Sequence, residues 1–170
     1  MIWRDFGPAF ILTKLKKVVV SKAGQHIKFP MKIIRYGVIG CGEHACRGHI
    51  DQGHKEGFRL VSVFDPSAEN AQKATRGDRR VRIEPSAEAL LKNGDIEAVI
   101  IASPDQFHPD QLALAVKARK HILIEKPLAI DMRGMTSVEV SLALARKYKL
   151  VVTSCHPRRF DPSYIWMEQN

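Results

Sequence analysis

The sequence contains little of what marks membrane, secreted or repetitive proteins. Only three cysteines occur in 170 residues, and this odd, sparse count argues against a disulfide framework and for a reducing compartment. No apolar run approaches the roughly 20 residues of a membrane-spanning helix, and near the start none is long enough for a secretory signal. Internal repeats and low-complexity tracts are also lacking. We therefore expect a cytoplasmic protein with no membrane partner.

Positive charge is in excess, but it is unevenly distributed. The formal net charge is +9, and residues 1–30 contribute +5 of it, with six Lys or Arg and one Asp. The mild excess elsewhere fits a small anionic ligand better than nucleic acid, and no DNA- or RNA-reading motif accompanies it. We interpret residues 1–30 as a basic extension outside the domain. A basic surface-binding or targeting arm is the alternative interpretation.

From residue 31 onward, short apolar runs alternate with helical patterns. The predicted strands are Ile33–Ile39, Phe58–Phe64, Val81–Ile83, Ala98–Ala102, His121–Glu125 and Leu150–Ser154. The predicted helices are Glu43–His54, Ala68–Thr75, Ala87–Lys92, Pro109–Ala118 and Met132–Lys149, and Ser67, Ser86 and Asp131 precede three of them as candidate N-caps. Strands that are apolar nearly throughout are typical of parallel sheets buried on both faces. The pattern predicts an α/β fold over residues 31–155, a doubly wound, mostly parallel, Rossmann-like sheet with its ligand crevice at the carboxyl ends of the strands.

A glycine loop follows the first predicted strand and opens a helix. Gly40 can make the tight turn, Gly42 lets the backbone approach a pyrophosphate, and Ala45 allows close helix–strand packing. Asp65 ends the second strand, where an acid can accept hydrogen bonds from the adenosine ribose and repel a 2′-phosphate. This spacing predicts a dinucleotide site that prefers NAD to NADP. Asp65 could instead be only a turn residue, and the arginines at positions 76, 79 and 80 are expected to be surface charges.

The same stretch could be interpreted as a metal site, because Cys41, His44, Cys46 and His49 fall within nine residues. Structural zinc sites usually pair two ligand clusters that lie further apart in sequence. His49 is five residues after His44, which does not match the three- or four-residue spacing of one α-helical face. We therefore expect no metal in this loop.

A lysine follows the fifth predicted strand, in the stretch "HILIEKPLAID". The strand delivers Lys126 to its carboxyl end, where the nicotinamide half of a dinucleotide would lie. An ammonium group there can hydrogen-bond a substrate hydroxyl and favour the loss of its proton as hydride leaves the carbon. Taken alone, the tripeptide could equally be an ordinary Lys-Pro turn.

Four stretches together resemble the Gfo/Idh/MocA oxidoreductases: "GVIGCGEHACRGH", "VFDP", "ASPDQFHPDQLALAVKARKHILIEKPLA" and "VVTSCHPRRFDP". The resemblance covers about residues 33–162. It implies that Gly40, Gly42 and Ala45 hold the pyrophosphate and that Asp65 binds the adenosine ribose. It also implies that Glu125 lies beside the nicotinamide ribose and that Ser103, Pro104 and His108 line the crevice. Lys126 would contact the substrate and assist proton transfer. For His108, a helix cap is the alternative. Arg159 and Phe160 match the family's Arg-Phe pair.

Members of that family continue into a second α/β domain, which supplies most of the substrate pocket, and we expect residues 156–170 to begin the linker to it. The resemblance implies NAD-dependent hydride transfer to or from the hydroxyl-bearing carbon of a sugar, polyol or cyclitol once that second domain is supplied. The 170-residue chain alone is expected to bind nucleotide without efficient turnover. The alternatives are a non-catalytic dinucleotide-binding or sensing module and, ranked last, a basic nucleic-acid binder.

Overall fold

A computed structural model describes residues 33–55, 57–156 and 162–169. The basic extension predicted at 1–30, and the pair Arg159 and Phe160, lie outside these described residues. Within them, no helix combines the length and the apolar character needed to cross a membrane.

Six strands and six helices alternate along the described chain. The strands are β1 (Arg35–Ile39), β2 (Arg59–Phe64), β3 (Arg82–Ile83), β4 (Ala98–Ile101), β5 (His121–Ile124) and β6 (Val152–Ser154). The helices are α1, which is π-helical over Ala45–Ile50 and α-helical over Asp51–Lys55, then α2 (Ala68–Ala74), α3 (Ala87–Lys92), α4 (His108–Lys117), α5 (Met132–Lys147) and α6 (Pro162–Gln169). A short 3₁₀ turn, Asp105–Phe107, precedes α4. The predicted elements are all present, with shifts at their ends.

The strands form one parallel sheet in the order β3-β2-β1-β4-β5-β6. This is the strand order of a dinucleotide-binding Rossmann fold. From the centre of the sheet, the chain adds β2 and β3 on one side of β1 and then β4, β5 and β6 on the other, so the topological switch point lies between β1 and β4. The predicted doubly wound α/β fold is therefore confirmed. Because all strands run the same way, the loops after β1, β2, β4 and β5 meet at one edge, where the predicted site residues lie.

The core is divided by the sheet into two layers. On one face, apolar residues of β1 and β2 pack against α1 and α2, with Ile50 and Ala71 fully buried. On the other face, Leu90, Leu112 and Val138 from α3, α4 and α5 pack against the sheet. The central strands are buried on both sides, which explains their almost uninterrupted Val and Ile content.

Side-chain caps begin three of the helices, as the sequence predicts. The side chains of Ser67, Ser86 and Asp131 accept hydrogen bonds from backbone N–H groups three residues later, which satisfies donors that a helix start leaves unpaired. One helix was not expected, because α6 occupies part of the stretch assigned to a linker. It begins at Pro162, a residue favoured in the first turn because its missing N–H needs no partner there.

Candidate functional site

The two glycines of the loop after β1 have different structural roles. Gly40 adopts a φ of 85°, and a Cβ built on it would lie 2.6 Å from the carbonyl carbon of Ala102 in the neighbouring strand end. The fold therefore requires glycine at this position. Gly42 borders the cleft that follows, and a Cβ built there meets no atom within 4 Å among the described residues. Its missing side chain is thus not explained by packing and leaves room for a ligand.

Asp65 closes the loop from the end of β2. Its Oδ2 accepts the backbone N–H of Cys41 at 2.7 Å, and its Oδ1 accepts the backbone N–H of Ser67 at 2.8 Å. The side-chain amide of Asn70 also donates to Oδ1, at 3.5 Å. A carboxylate has about four acceptor positions, so it can still receive hydrogen bonds from a ligand. Asp65 therefore holds the glycine loop, and its contact with the adenosine ribose stays a prediction.

A cleft of about 760 Å³ opens at the carboxyl ends of β1, β2 and β4. Of the predicted cofactor residues, it is lined by Gly40, Gly42, Asp65, Ser103 and Pro104. Apolar side chains, including Phe64 and Leu114, form much of its wall, as expected for a pocket that takes a flat ring. Ala45 lies outside the cleft: it is buried against the sheet, in the helix-packing position that the glycine pattern predicts.

His108 lies inside the protein rather than on the cleft wall. Its side chain is fully buried, Nε2 lies 2.9 Å from the carbonyl oxygen of Ser103, and Nδ1 lies 2.7 Å from the carbonyl oxygen of Pro127. It is also no helix cap, because α4 has no side-chain cap hydrogen bond at its start. His108 instead ties the loop after β4 to the turn that carries Lys126.

Glu125, directly after β5, is the centre of a polar cluster. Its Oε1 accepts hydrogen bonds from His44 Nε2 at 2.9 Å and His49 Nε2 at 2.8 Å. The side chains of His49 and Glu125 are 2% and 9% exposed, whereas that of His44 is 62% exposed. Burial alone would raise the pKa of the Glu125 carboxyl, but the hydrogen bonds and charge of His49, with hydrogen bonds from His44 and Cys155, lower it to about 2.

The spacing argument against a shared role for His44 and His49 is wrong. It assumed an α-helix, but Ala45–Ile50 is π-helical, and the hydrogen bonds of a π-helix join residues five apart, about one turn along the helix. Residues five apart therefore lie on one face, and the two imidazole rings stand edge to face with centroids 5.6 Å apart. The cysteines of the stretch do not join them: Cys41 Sγ faces the carbonyl of Phe64, and Cys46 Sγ that of Cys41, both at 3.5 Å.

Lys126 is exposed at the carboxyl end of β5. Its backbone N–H donates to the second carboxylate oxygen of Glu125 at 3.2 Å. Because both residues directly follow β5, they lie at the same edge of the sheet as the cleft, one strand beyond β4. Neither lines the 760 Å³ cleft itself. The structure thus places the residues predicted to bind the adenosine part around the cleft, the predicted adenosine half, and those predicted for the nicotinamide part around Glu125, the predicted nicotinamide half.

Comparison with known proteins identifies the fold family. A model of the Gfo/Idh/MocA oxidoreductase family, NAD-binding Rossmann fold, matches residues 34–156. Inositol 2-dehydrogenase 4 of Saccharopolyspora erythraea is 32% identical over 141 residues, which are 80% of this chain and 40% of that protein. UDP-N-acetylglucosamine 3-dehydrogenase of Acidithiobacillus ferrooxidans is 33% identical over 136 residues, 80% of this chain and 41% of that protein.

Solved structures agree with these relatives. That of the Acidithiobacillus ferrooxidans UDP-N-acetylglucosamine 3-dehydrogenase superimposes with a TM-score of 0.69 at 32% identity, over 82% of this chain and 43% of that one. The structure of a 3-ketoreductase from Actinomadura kijaniata, solved with TDP-benzene and NADP, gives a TM-score of 0.71 at 26% identity, over 81% of this chain and 42% of that one. The chain spans about 40% of the length of the relatives it matches. It belongs to the Gfo/Idh/MocA family of oxidoreductases and carries that family's NAD(P)-binding Rossmann fold.

Proposed function

We propose that this chain is the cofactor-binding part of an NAD-dependent oxidoreductase that acts on a hydroxyl of a sugar, polyol or cyclitol. The observation that supports the proposal most directly is the cleft at the strand ends, with Gly42 open toward it and Asp65 at its border. The start of α1 directs N–H groups toward the loop, which favours a pyrophosphate there. Relatives named as inositol and UDP-N-acetylglucosamine dehydrogenases suggest the substrate class.

We infer a preference for NAD over NADP from the charges around Asp65. A second pocket adjoins the cleft at Asn70, which borders both, and three cationic side chains line it that could attract a 2′-phosphate. Each is already paired: Arg47 with Glu43 at 2.8 Å, Lys73 Nζ with Glu69 at 2.6 Å, and Arg76 with Asp51 through two hydrogen bonds of 3.1 Å. A 2′-phosphate would therefore meet the Asp65 carboxylate without an unpaired cation among these pocket residues to offset the repulsion.

In this proposal Lys126 is the catalytic residue. Its ammonium would hydrogen-bond the substrate oxygen and favour loss of the hydroxyl proton while a bound nicotinamide accepts the hydride. Glu125 would receive the nicotinamide ribose, and His108 would position the Lys126 turn through Pro127. Because the chain spans about 40% of its relatives, we expect the 170-residue chain to show little NADH formation with inositols or sugars. Robust turnover in that assay would contradict this part of the proposal.

A single methyl group at Gly42 tests the cofactor proposal. Gly42→Ala adds a Cβ into open space, so the fold should be kept, but the methyl group would stand where a pyrophosphate must approach the backbone. We expect NADH affinity, measured by calorimetry or nicotinamide fluorescence, to fall at least about tenfold, or about 1.4 kcal/mol, with an unchanged melting temperature.

The matched control is Gly94→Ala, the same chemical change in equally open space. Gly94 precedes β4 and lies at the opposite, amino-terminal edge of the parallel sheet. The Gly94→Ala substitution should alter neither NADH binding nor the melting temperature. If Gly42→Ala bound NADH as tightly as the unsubstituted chain, the proposed pyrophosphate position would be incorrect.

A further inference from the structure

The convergence of His44, His49 and Glu125 has a consequence beyond cofactor binding. Two imidazole Nε2 atoms approach the same carboxylate oxygen at 2.9 and 2.8 Å, and each of the three side chains offers a ligand atom within 4.8 Å of the other two. We propose that these three side chains form a binding site for one divalent transition-metal ion, for which Zn²⁺ is the natural probe.

The ligand set fits this ion class. Two neutral imidazoles and one carboxylate are a recurring three-ligand set for Zn²⁺, which leaves a fourth tetrahedral position open. Bonds of about 2.0–2.1 Å at tetrahedral angles place neighbouring ligand atoms about 3.3 Å apart. To surround the ion, each Nε2 of His44 and His49 retreats by about 0.5 Å from Glu125 Oε1. The two Nε2 atoms, which now lie within 4.8 Å of each other, also move to about 3.3 Å apart.

The surroundings hold two of the three ligands in place. His49 is buried, and the Lys126 N–H donates to Oε2 of Glu125, which leaves Oε1 directed at the histidines. The exposed ring of His44 can move aside and provides the entry path. A ligand set with two rigid members and one mobile member can accept an ion without rearranging the core.

The backbone geometry makes this site possible. His44 and His49 share a face only because Ala45–Ile50 is π-helical, and Glu125 reaches them because β5 ends at the same edge of the sheet as β1. His49 Nδ1 is buried and has no hydrogen-bond partner among the residues that the structure describes. Metal-bound imidazoles usually donate their second N–H, and loss of such a partner weakens binding by about 10–100-fold. The site should therefore bind Zn²⁺ more weakly than a closed structural zinc site.

The test is metal binding to the 170-residue chain without nucleotide. Zn²⁺ is titrated by calorimetry, and Co²⁺ is titrated by visible absorption, whose d–d bands report tetrahedral coordination. We expect one ion per chain, and an affinity at least about tenfold lower in His44→Gln and in Glu125→Gln. His44 is exposed, so its variant should fold normally even if Glu125→Gln does not.

His54→Gln is the matched control, because His54 is exposed on the same helix but lies outside the cluster; it should bind the metal like the unsubstituted chain. The proposal is overturned if no ion binds, if His44→Gln binds normally, or if His54→Gln loses the ion. A strong near-ultraviolet thiolate–Co²⁺ band would overturn it too, because it would assign the ion to a cysteine. Since no nucleotide is present, these outcomes do not depend on NADH binding.

Discussion

The predicted adenosine half and the predicted nicotinamide half of the site consist of different kinds of chemical groups. The adenosine half uses backbone and the absence of side chains: Gly40, Gly42 and an apolar cleft, with Asp65 as its charged border. The nicotinamide half is a cluster of ionisable side chains around Glu125. We therefore expect the first half to bind by shape and the second by charge. Substitutions should therefore damage the first through steric conflict and the second through loss of a buried charge.

The largest expected effect tests the adenosine half, through a steric conflict at Gly40. Gly40→Ala places a Cβ 2.6 Å from backbone atoms of Ala102 and Ser103, at a φ of 85° that disfavours a side chain. We expect the free energy of unfolding, measured by urea denaturation, to fall by at least about 4 kcal/mol, a large part of a typical domain's stability. Gly42→Ala is the control and should keep the stability of the unsubstituted chain. Equal stability of both variants would show that the loop is not packed as described.

The next largest effect tests the nicotinamide half, through the charge of Glu125. The Glu125 carboxyl has its pKa lowered to about 2 in the folded protein, against about 4.5 when unperturbed. A lowered folded-state pKa contributes stability above the unfolded pKa, and this contribution is lost as the pH falls toward 2. We therefore expect Glu125→Gln to lower the free energy of unfolding by about 3 kcal/mol at pH 7.

The pH dependence distinguishes lost charge from lost shape. The stability difference between the unsubstituted chain and Glu125→Gln should shrink as the pH falls below about 4.5. Urea denaturation across pH 7 to 3 measures it. A difference that stays constant down to pH 3 would mean that glutamine disturbs packing, and that the histidine hydrogen bonds do not depend on the carboxylate charge.

The smallest expected effect concerns cofactor choice at Asp65. Asp65→Asn removes the negative charge that would oppose a 2′-phosphate, so the ratio of NADH to NADPH affinity should fall about tenfold, or about 1.4 kcal/mol. The ratio is the useful quantity, because the variant also loses a partner for the backbone N–H of Cys41 or Ser67, and that loss affects both cofactors alike. Fluorescence titration with each nucleotide measures it.

Asp110→Asn makes the same change elsewhere on the wall of the cleft and should leave the ratio unaltered. A chain that prefers NADPH before any substitution would contradict the NAD proposal directly.

The sequence was sufficient to locate the glycine loop and Asp65, because these features are local. The strand, the glycine pattern and the helix follow one another within residues 35–55, and Asp65 ends the next strand. Such a stretch has few ways to fold once the strands are paired in parallel. The apolar strands likewise predicted a sheet buried on both faces, and the serines at 67 and 86 predicted helix starts.

The nicotinamide half was not predictable in the same way. The sequence placed Lys126 and Glu125 at the end of β5, but it gave no sign that Glu125 lies against His44 and His49, which are 81 and 76 residues away. The five-residue spacing of the two histidines was itself a signal, although it points to one helix face only if the helix is π-helical. For His108, the sequence could not distinguish a residue on the cleft wall from a buried bridge between two loops.

The sequence by itself therefore determined the fold, the position of the glycine loop and the acid that follows it, because periodicity and turn chemistry act over a few residues. Only the tertiary structure decided which ionisable groups share a cluster, how many residues make one turn of α1, and which glycine serves the fold and which faces the cleft. Those features depend on the alignment of strand ends across the sheet and on the backbone winding of one helix. Both are set by packing between segments far apart in the chain.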